Sequence, residues 1–176
     1  MATTATPYGA RPIGTLSSSG SFTSKTRNLP IITTYGTQMS NGDFCKVAND
    51  GTIAKDAGTS ALTAVGIFLG CSYTDPTTSQ KTFSNWWPAS NAATDAMAYV
   101  LDDPFVVFQM QADEALNTTD RGLNASVVVT AGNTTFGKSK NALDGSTPAT
   151  TNTLPLRIID FVDGPSSLPP KGPTAS

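Results

Sequence analysis

The sequence predicts an all-β fold, an antiparallel β-sandwich or barrel, flanked by an extended N-terminal arm and a short, disordered-like C-terminal tail. Three observations predict it. Of 176 residues, 27 are Thr and 17 are Ser, beside 15 Gly and 12 Pro; Thr is β-branched and suits strands, while Gly and Pro punctuate them. Apolar residues fall in short runs separated by turn residues, in places with a period of two. Helical periodicity is confined to residues 113–116.

Taken in order, residues 1–28 are small, polar or turn-forming and read as an arm with too little apolar surface to pack. Its densest patch is Tyr8-Gly9-Ala10-Arg11-Pro12-Ile13, an aromatic, a cation and a rigid Pro suited to docking on another surface. The β domain is expected over residues 29–163, starting with the apolar run at Leu29. Asn41-Gly42 is a turn into Phe44 to Val47, and Asp50-Gly51 closes a hairpin. Val65, Ile67, Leu69, Cys71 and Tyr73 alternate as one face of a long strand, with Gly66 and Gly70 flanking Phe68 opposite, where a bend or a close backbone fits. Met97 to Leu101 and Phe105 to Met110 are strands broken at Asp102-Asp103-Pro104, the second expected to be covered on both faces. Val127 to Val129 and Leu156 to Val162 are the last strands, giving roughly six to nine in all. Residues 164–176 form a Pro- and Ser-rich tail.

Composition excludes several chemistries. The chain has no histidine, which removes imidazole from any general-base, proton-shuttle or metal-ligand role. Eleven Lys and Arg against thirteen Asp and Glu, with no basic run, lack the footprint of a phosphate-backbone binder, so no nucleic-acid partner is expected. Cys45 and Cys71 make neither a zinc site nor a disulfide framework and are expected in the core. No apolar run is long enough to span a bilayer and no signal peptide opens the chain, so cytoplasmic synthesis without membrane association is expected.

Gly132-Asn133-Thr134-Thr135-Phe136-Gly137-Lys138-Ser139 matches the phosphate-loop pattern letter for letter. That loop works through backbone N–H groups and a following helix that converge on the phosphates. Only 37 residues follow Ser139, too few for the βα units of that fold, and a hairpin loop is the better expectation. Asp102, Asp103 and Asp113 resemble a paired-carboxylate or calcium cluster only loosely; adjacent Asp residues on a strand point to opposite faces, and beside Pro104 they make a surface turn. No catalytic residue, metal site or cofactor is assigned. Trp86-Trp87 is either a partner or glycan platform or a core element, with at least one ring expected to be buried.

Tyr8 to Ile13, Gly66 to Gly70, the block from Tyr99 to Asp113, Gly137-Lys138-Ser139 with Leu143-Asp144, and Leu156 to Ile159 together resemble a family of small virion proteins of tailed bacteriophages. The resemblance implies a non-enzymatic capsid decoration, or cement, protein, a homotrimer on the outer capsid surface of the virion with the major capsid protein as partner. Tyr8, Arg11, Pro12 and Ile13 are then the expected capsid-binding residues, and removal of residues 1–28 should leave a folded domain. A minor tail, connector or fibre component that binds host glycan through Trp86 and Trp87 is the alternative, and nucleotide binding through Lys138 a further one.

Overall fold

The computed structural model describes residues 6–16 and 25–162. The fold is nearly all β, with antiparallel sheets, as the Thr-rich composition predicts. Its strands are β1 (Arg11–Thr15), β2 (Thr26–Pro30), β3 (Met39–Ser40), β4 (Phe44–Val47), β5 (Ile53–Lys55), β6 (Gly66–Thr74), β7 (Lys81–Ser84), β8 (Trp86–Trp87), β9 (Met97–Leu101), β10 (Val106–Gln109), β11 (Asn124–Ala125), β12 (Val127–Val128), β13 (Ala142–Leu143) and β14 (Leu156–Arg157). Fourteen strands among the described residues exceed the expected number, because two-residue strands are too short to leave a period in the sequence. The helical period at residues 113–116 forms no helix; a single 3-10 turn at Thr118–Asp120 follows it.

Six strands form one sheet in the order β2-β9-β6-β4-β5, with β7 also on β6. The nine-residue β6 is its spine. One edge of β6 pairs with β9; the other pairs with β4 near Gly66 and Ile67 and with β7 from Cys71 to Thr74. The Asp50-Gly51 turn joins β4 to β5 as the sequence predicts, with Gly51 at φ 80 in the left-handed region.

The expected single face of β6 is split. Phe68 pairs with Val100 and Gly70 with the next residue back, Tyr99, so Leu69 is an extra residue, a β-bulge. Before the bulge Ile67 and Leu69 face one core cluster, with Phe44, Leu101 and Val106. Phe68 faces the other, and beyond the bulge Cys71 and Tyr73 join it beside Trp87 and Val100. One inserted residue thus lets one strand serve two cores. The Leu69 carbonyl, displaced from the ladder, accepts Asn41 Nδ2 at 2.6 Å. Gly66 runs against the Leu101 carbonyl and Gly70 against the Ser84 carbonyl, the close backbone approach that small residues there predict.

The expected arm boundary at Asn28 is corrected. Residues Thr26 to Asn28 belong to β2 and pair with Leu101 to Tyr99, and β1 pairs with β10. Ala10 is buried in the second core cluster. Residues with few apolar side chains are held here by backbone pairing, which composition does not report. Truncation at residue 28 would therefore strip β1 and most of β2 from their partners. Residues 1–5 and 17–24 of the expected arm, and the expected tail over residues 164–176, lie outside the described residues.

Two strand expectations also change. Phe105 is 61% exposed, and Val107 and Phe108 are half-buried, because β10 pairs with β1 in a two-stranded ribbon rather than inside the large sheet. The run from Leu156 to Val162 is strand only at Leu156 and Arg157, opposite the two-residue β11, and its pairing ends at Ile158, which exchanges backbone hydrogen bonds with Gly122 and Leu123. Cys45 and Cys71 are free thiols buried in the first core cluster.

Candidate interaction surface around Arg11 and Lys138

The N-terminal segment is fastened by two glycines. Gly9 (φ 79) and Gly42 (φ 92) both occupy the left-handed region, and a Cβ at Gly9 would lie 2.7 Å from the Gly42 carbonyl. Gly9 N donates to the Asn141 carbonyl at 3.1 Å and Ala10 N to the Gly42 carbonyl at 3.0 Å. Asn41, beside Gly42, in turn exchanges bonds with the 132–139 loop: its N–H donates to the Gly137 carbonyl and its carbonyl accepts Ser139 N, both at 3.0 Å. Three segments far apart in sequence meet there.

Beneath the junction is a buried polar cluster. Ser139 Oγ donates to Asp43 Oδ1 at 2.6 Å, Ser40 N donates to Asp43 Oδ2 at 2.9 Å, and Lys55 Nζ lies 2.9 Å from the same Oδ2. The Asp43 and Lys55 side chains are 0% and 7% exposed. A buried carboxylate is tolerable only when paired and hydrogen-bonded, and Asp43 has both.

Above it, Tyr8, Ala10, Arg11, Asn41 and Lys138 line an open hollow of about 470 Å³. Arg11 and Lys138 are exposed, and among the described residues neither is in an ion pair. Burial pushes the Tyr8 phenol up while the Arg11 guanidinium pulls it down, with burial the larger effect, so Tyr8 is a neutral donor near pH 7.

The four residues expected to bind a capsid lie together on this segment. Tyr8 and Pro12 are half-buried, Arg11 is exposed, and Ile13 is 52% exposed. The register of β1 on β10 shifts between Pro12 and Gly14, which makes Ile13 a bulge residue outside the pairing. Leu16, 61% exposed, donates its N–H to the Phe105 carbonyl at 2.8 Å. Ile13, Leu16 and Phe105 are thus exposed apolar residues along the β1–β10 ribbon that begins at Arg11. Sequence reading missed Leu16 and Phe105: Leu16 falls inside a stretch read as a polar arm, and Phe105 looks like a core residue until its strand is placed.

Residues 132–139 form a hairpin loop, not a phosphate cradle. Asn133 Oδ1 accepts Thr135 N at 2.7 Å and Phe136 N at 3.1 Å, and the Asn133 carbonyl accepts Gly137 N at 2.9 Å. The N–H groups a phosphate would need are turned onto Asn133, Ser139 is committed to Asp43, and the chain runs on to β13 with no helix. Asp102, Asp103 and Asp113 likewise have separate tasks: Asp102 pairs with Arg27, Asp103 Oδ1 accepts Phe105 N, and Asp113 Oδ1 accepts Gly145 N. No group of three or more metal-ligating residues converges among the described residues.

Trp87 is fully buried, edge-on to Tyr73 with ring centroids 5.5 Å apart. Trp86 is half-buried and lies against Gly137, whose φ of 63 and missing side chain admit the indole. The two rings therefore do not form a paired glycan platform. No helix among the described residues is long and apolar enough to cross a membrane. Comparison with protein-family models, with curated proteins and with solved structures finds no match for this chain.

Proposed function

We propose that the chain is a non-enzymatic capsid decoration protein of a tailed bacteriophage, a trimer that binds the outer surface of the major capsid lattice and stabilises the head. The observation that carries the proposal is the β1–β10 ribbon, which presents Arg11, Ile13, Leu16 and Phe105 outward from a strand-paired base. An exposed strip of this kind beside unpaired cations is suited to a protein partner. Because the segment is already paired to the domain, docking orders less chain than a free arm would, and many weak contacts repeated over a lattice add up. The resemblance of the Asp-Asp-Pro block and its neighbours to virion proteins points the same way.

The test is the copy number of this chain relative to the major capsid protein in purified particles, measured by quantitative mass spectrometry. A ratio near one or a simple fraction of it supports a lattice component; a handful of copies would move the chain to the tail or connector. Ile13→Asp and Phe105→Asp, both at exposed positions, should keep the fold and reduce occupancy on undecorated particles. Full occupancy by the double variant would remove the β1–β10 ribbon as the capsid contact.

A further inference from the structure

We infer that the hollow between Tyr8, Arg11, Asn41 and Lys138 is a carboxylate-binding site that takes an acidic peptide segment of the partner. Arg11 offers a planar fork and Lys138 a point charge; both line one hollow of about 470 Å³ and neither is in an ion pair among the described residues. That volume is in the range of ordinary ligand pockets. Asp43, two residues past Asn41, does not neutralise them, since Lys55, Ser139 and Ser40 already occupy its oxygens. The chain as a whole has a net charge of -2, so two unpaired cations in one concavity are a local reversal of sign.

A peptide carboxylate fits better than a free phosphate for two reasons. The loop N–H groups that would wrap a phosphate are turned onto Asn133, which leaves side-chain donors alone at the rim. Further along the ribbon from Arg11, Ile13, Leu16 and Phe105 are exposed, so an extended segment that follows the ribbon with an acidic residue near apolar ones can meet both along its length. Placing that segment on the capsid rests on the decoration proposal; the preference for a carboxylate does not.

The test uses the full-length, 15N-labelled chain at low salt with three probes: a capped hexaglutamate peptide, hexaglutamine and inorganic phosphate. Hexaglutamate should give saturable amide shifts at Arg11, Asn41 and Lys138, with a dissociation constant of roughly millimolar or tighter. Affinity should fall about tenfold or more in Arg11→Gln and in Lys138→Gln, and return in Lys138→Arg. Both side chains are exposed, so an unchanged amide spectrum elsewhere confirms that the variants fold. Absence of saturable binding, equal binding by hexaglutamine or phosphate, or undiminished binding by the Arg11→Gln/Lys138→Gln chain would overturn the inference. Hexaglutamate binding by a chain missing from virions leaves the site standing and removes decoration. Decoration without peptide binding removes the site alone.

Discussion

Ser139 and Asp43, 96 positions apart in sequence, are joined by a 2.6 Å hydrogen bond in the buried centre of the molecule. The bond ties the 132–139 hairpin loop to the turn before β4, and Lys55 of β5 balances the carboxylate from the other side. A serine that completes a phosphate-loop pattern in the sequence is, in three dimensions, a donor that makes a buried charge tolerable.

That cluster predicts an asymmetric response to mutation. Lys55→Met leaves Asp43 buried without its cation and should destabilise by about 3–5 kcal/mol, whereas Lys55→Met with Asp43→Asn should recover part of the loss. Urea denaturation midpoints of the three chains check this. A Lys55→Met chain within about 0.5 kcal/mol of the parent would show that the hydrogen bonds from Ser139 and Ser40 suffice alone.

Acid stability should depend on Asp95 and Asp144. The Asp95 carboxyl is held well below its usual value by Lys81 and by the N–H and hydroxyl of Thr74, and Asp144 is lowered, chiefly by the Ser146 hydroxyl. A group whose folded pKa is depressed contributes stability above its unfolded pKa, near 3.8 for each, and the contribution fades as pH falls through the lower folded value. Asp95→Asn should thus lower the urea midpoint at pH 6 and converge with the parent at the acid end. A gap that stays constant down to pH 2 would contradict a role for the ionised form.

Both thiols should be silent in the native state. Burial, reinforced by the Asp43 charge, pushes the Cys45 thiol far up, and burial pushes Cys71 up to about 12. Reaction needs thiolate and access, and neither is present near pH 8. Ellman's reagent should therefore label neither cysteine in buffer and both in guanidinium; prompt native labelling of one would mean that its strand opens locally.

The glycines should separate by environment. Gly66→Ala places a methyl group against the Leu101 carbonyl and should cost about 1–3 kcal/mol, while Gly14→Ala, with nothing within 4 Å of the added carbon, should change stability by less than about 0.5 kcal/mol. Thermal melts of the two variants read the contrast directly, and equal shifts would imply that β6 and β9 separate to make room.

The fold class was legible because Thr, Gly and Pro act locally, residue by residue, and the Asp50-Gly51 hairpin because turn chemistry is local too. The bulge at Leu69 was not, since a period of two runs unbroken through residues 64–73 while the inserted residue exists only relative to β9. The pairing of β1 with β10 was hidden for the same reason: backbone bonds to a distant strand leave no mark in side-chain composition. Of the candidate surface, Tyr8, Arg11, Pro12 and Ile13 were singled out as a local cluster of residue types, but Lys138 reached them only through Asn41 and Gly42, a meeting set by tertiary structure.

The antiparallel pairing of β1 with β10 and of β2 with β9 also sets a timetable for the nascent chain. The strands synthesised first complete their ladders only against residues 97–109, a delay on the order of 5–20 s at ordinary translation rates. Until then β1 and β2 lack their ladder partners, and their low apolar content guards them from premature association while they wait. The same polar composition that makes these residues look like a tail in the sequence suits strands whose ladder partners are made much later in synthesis.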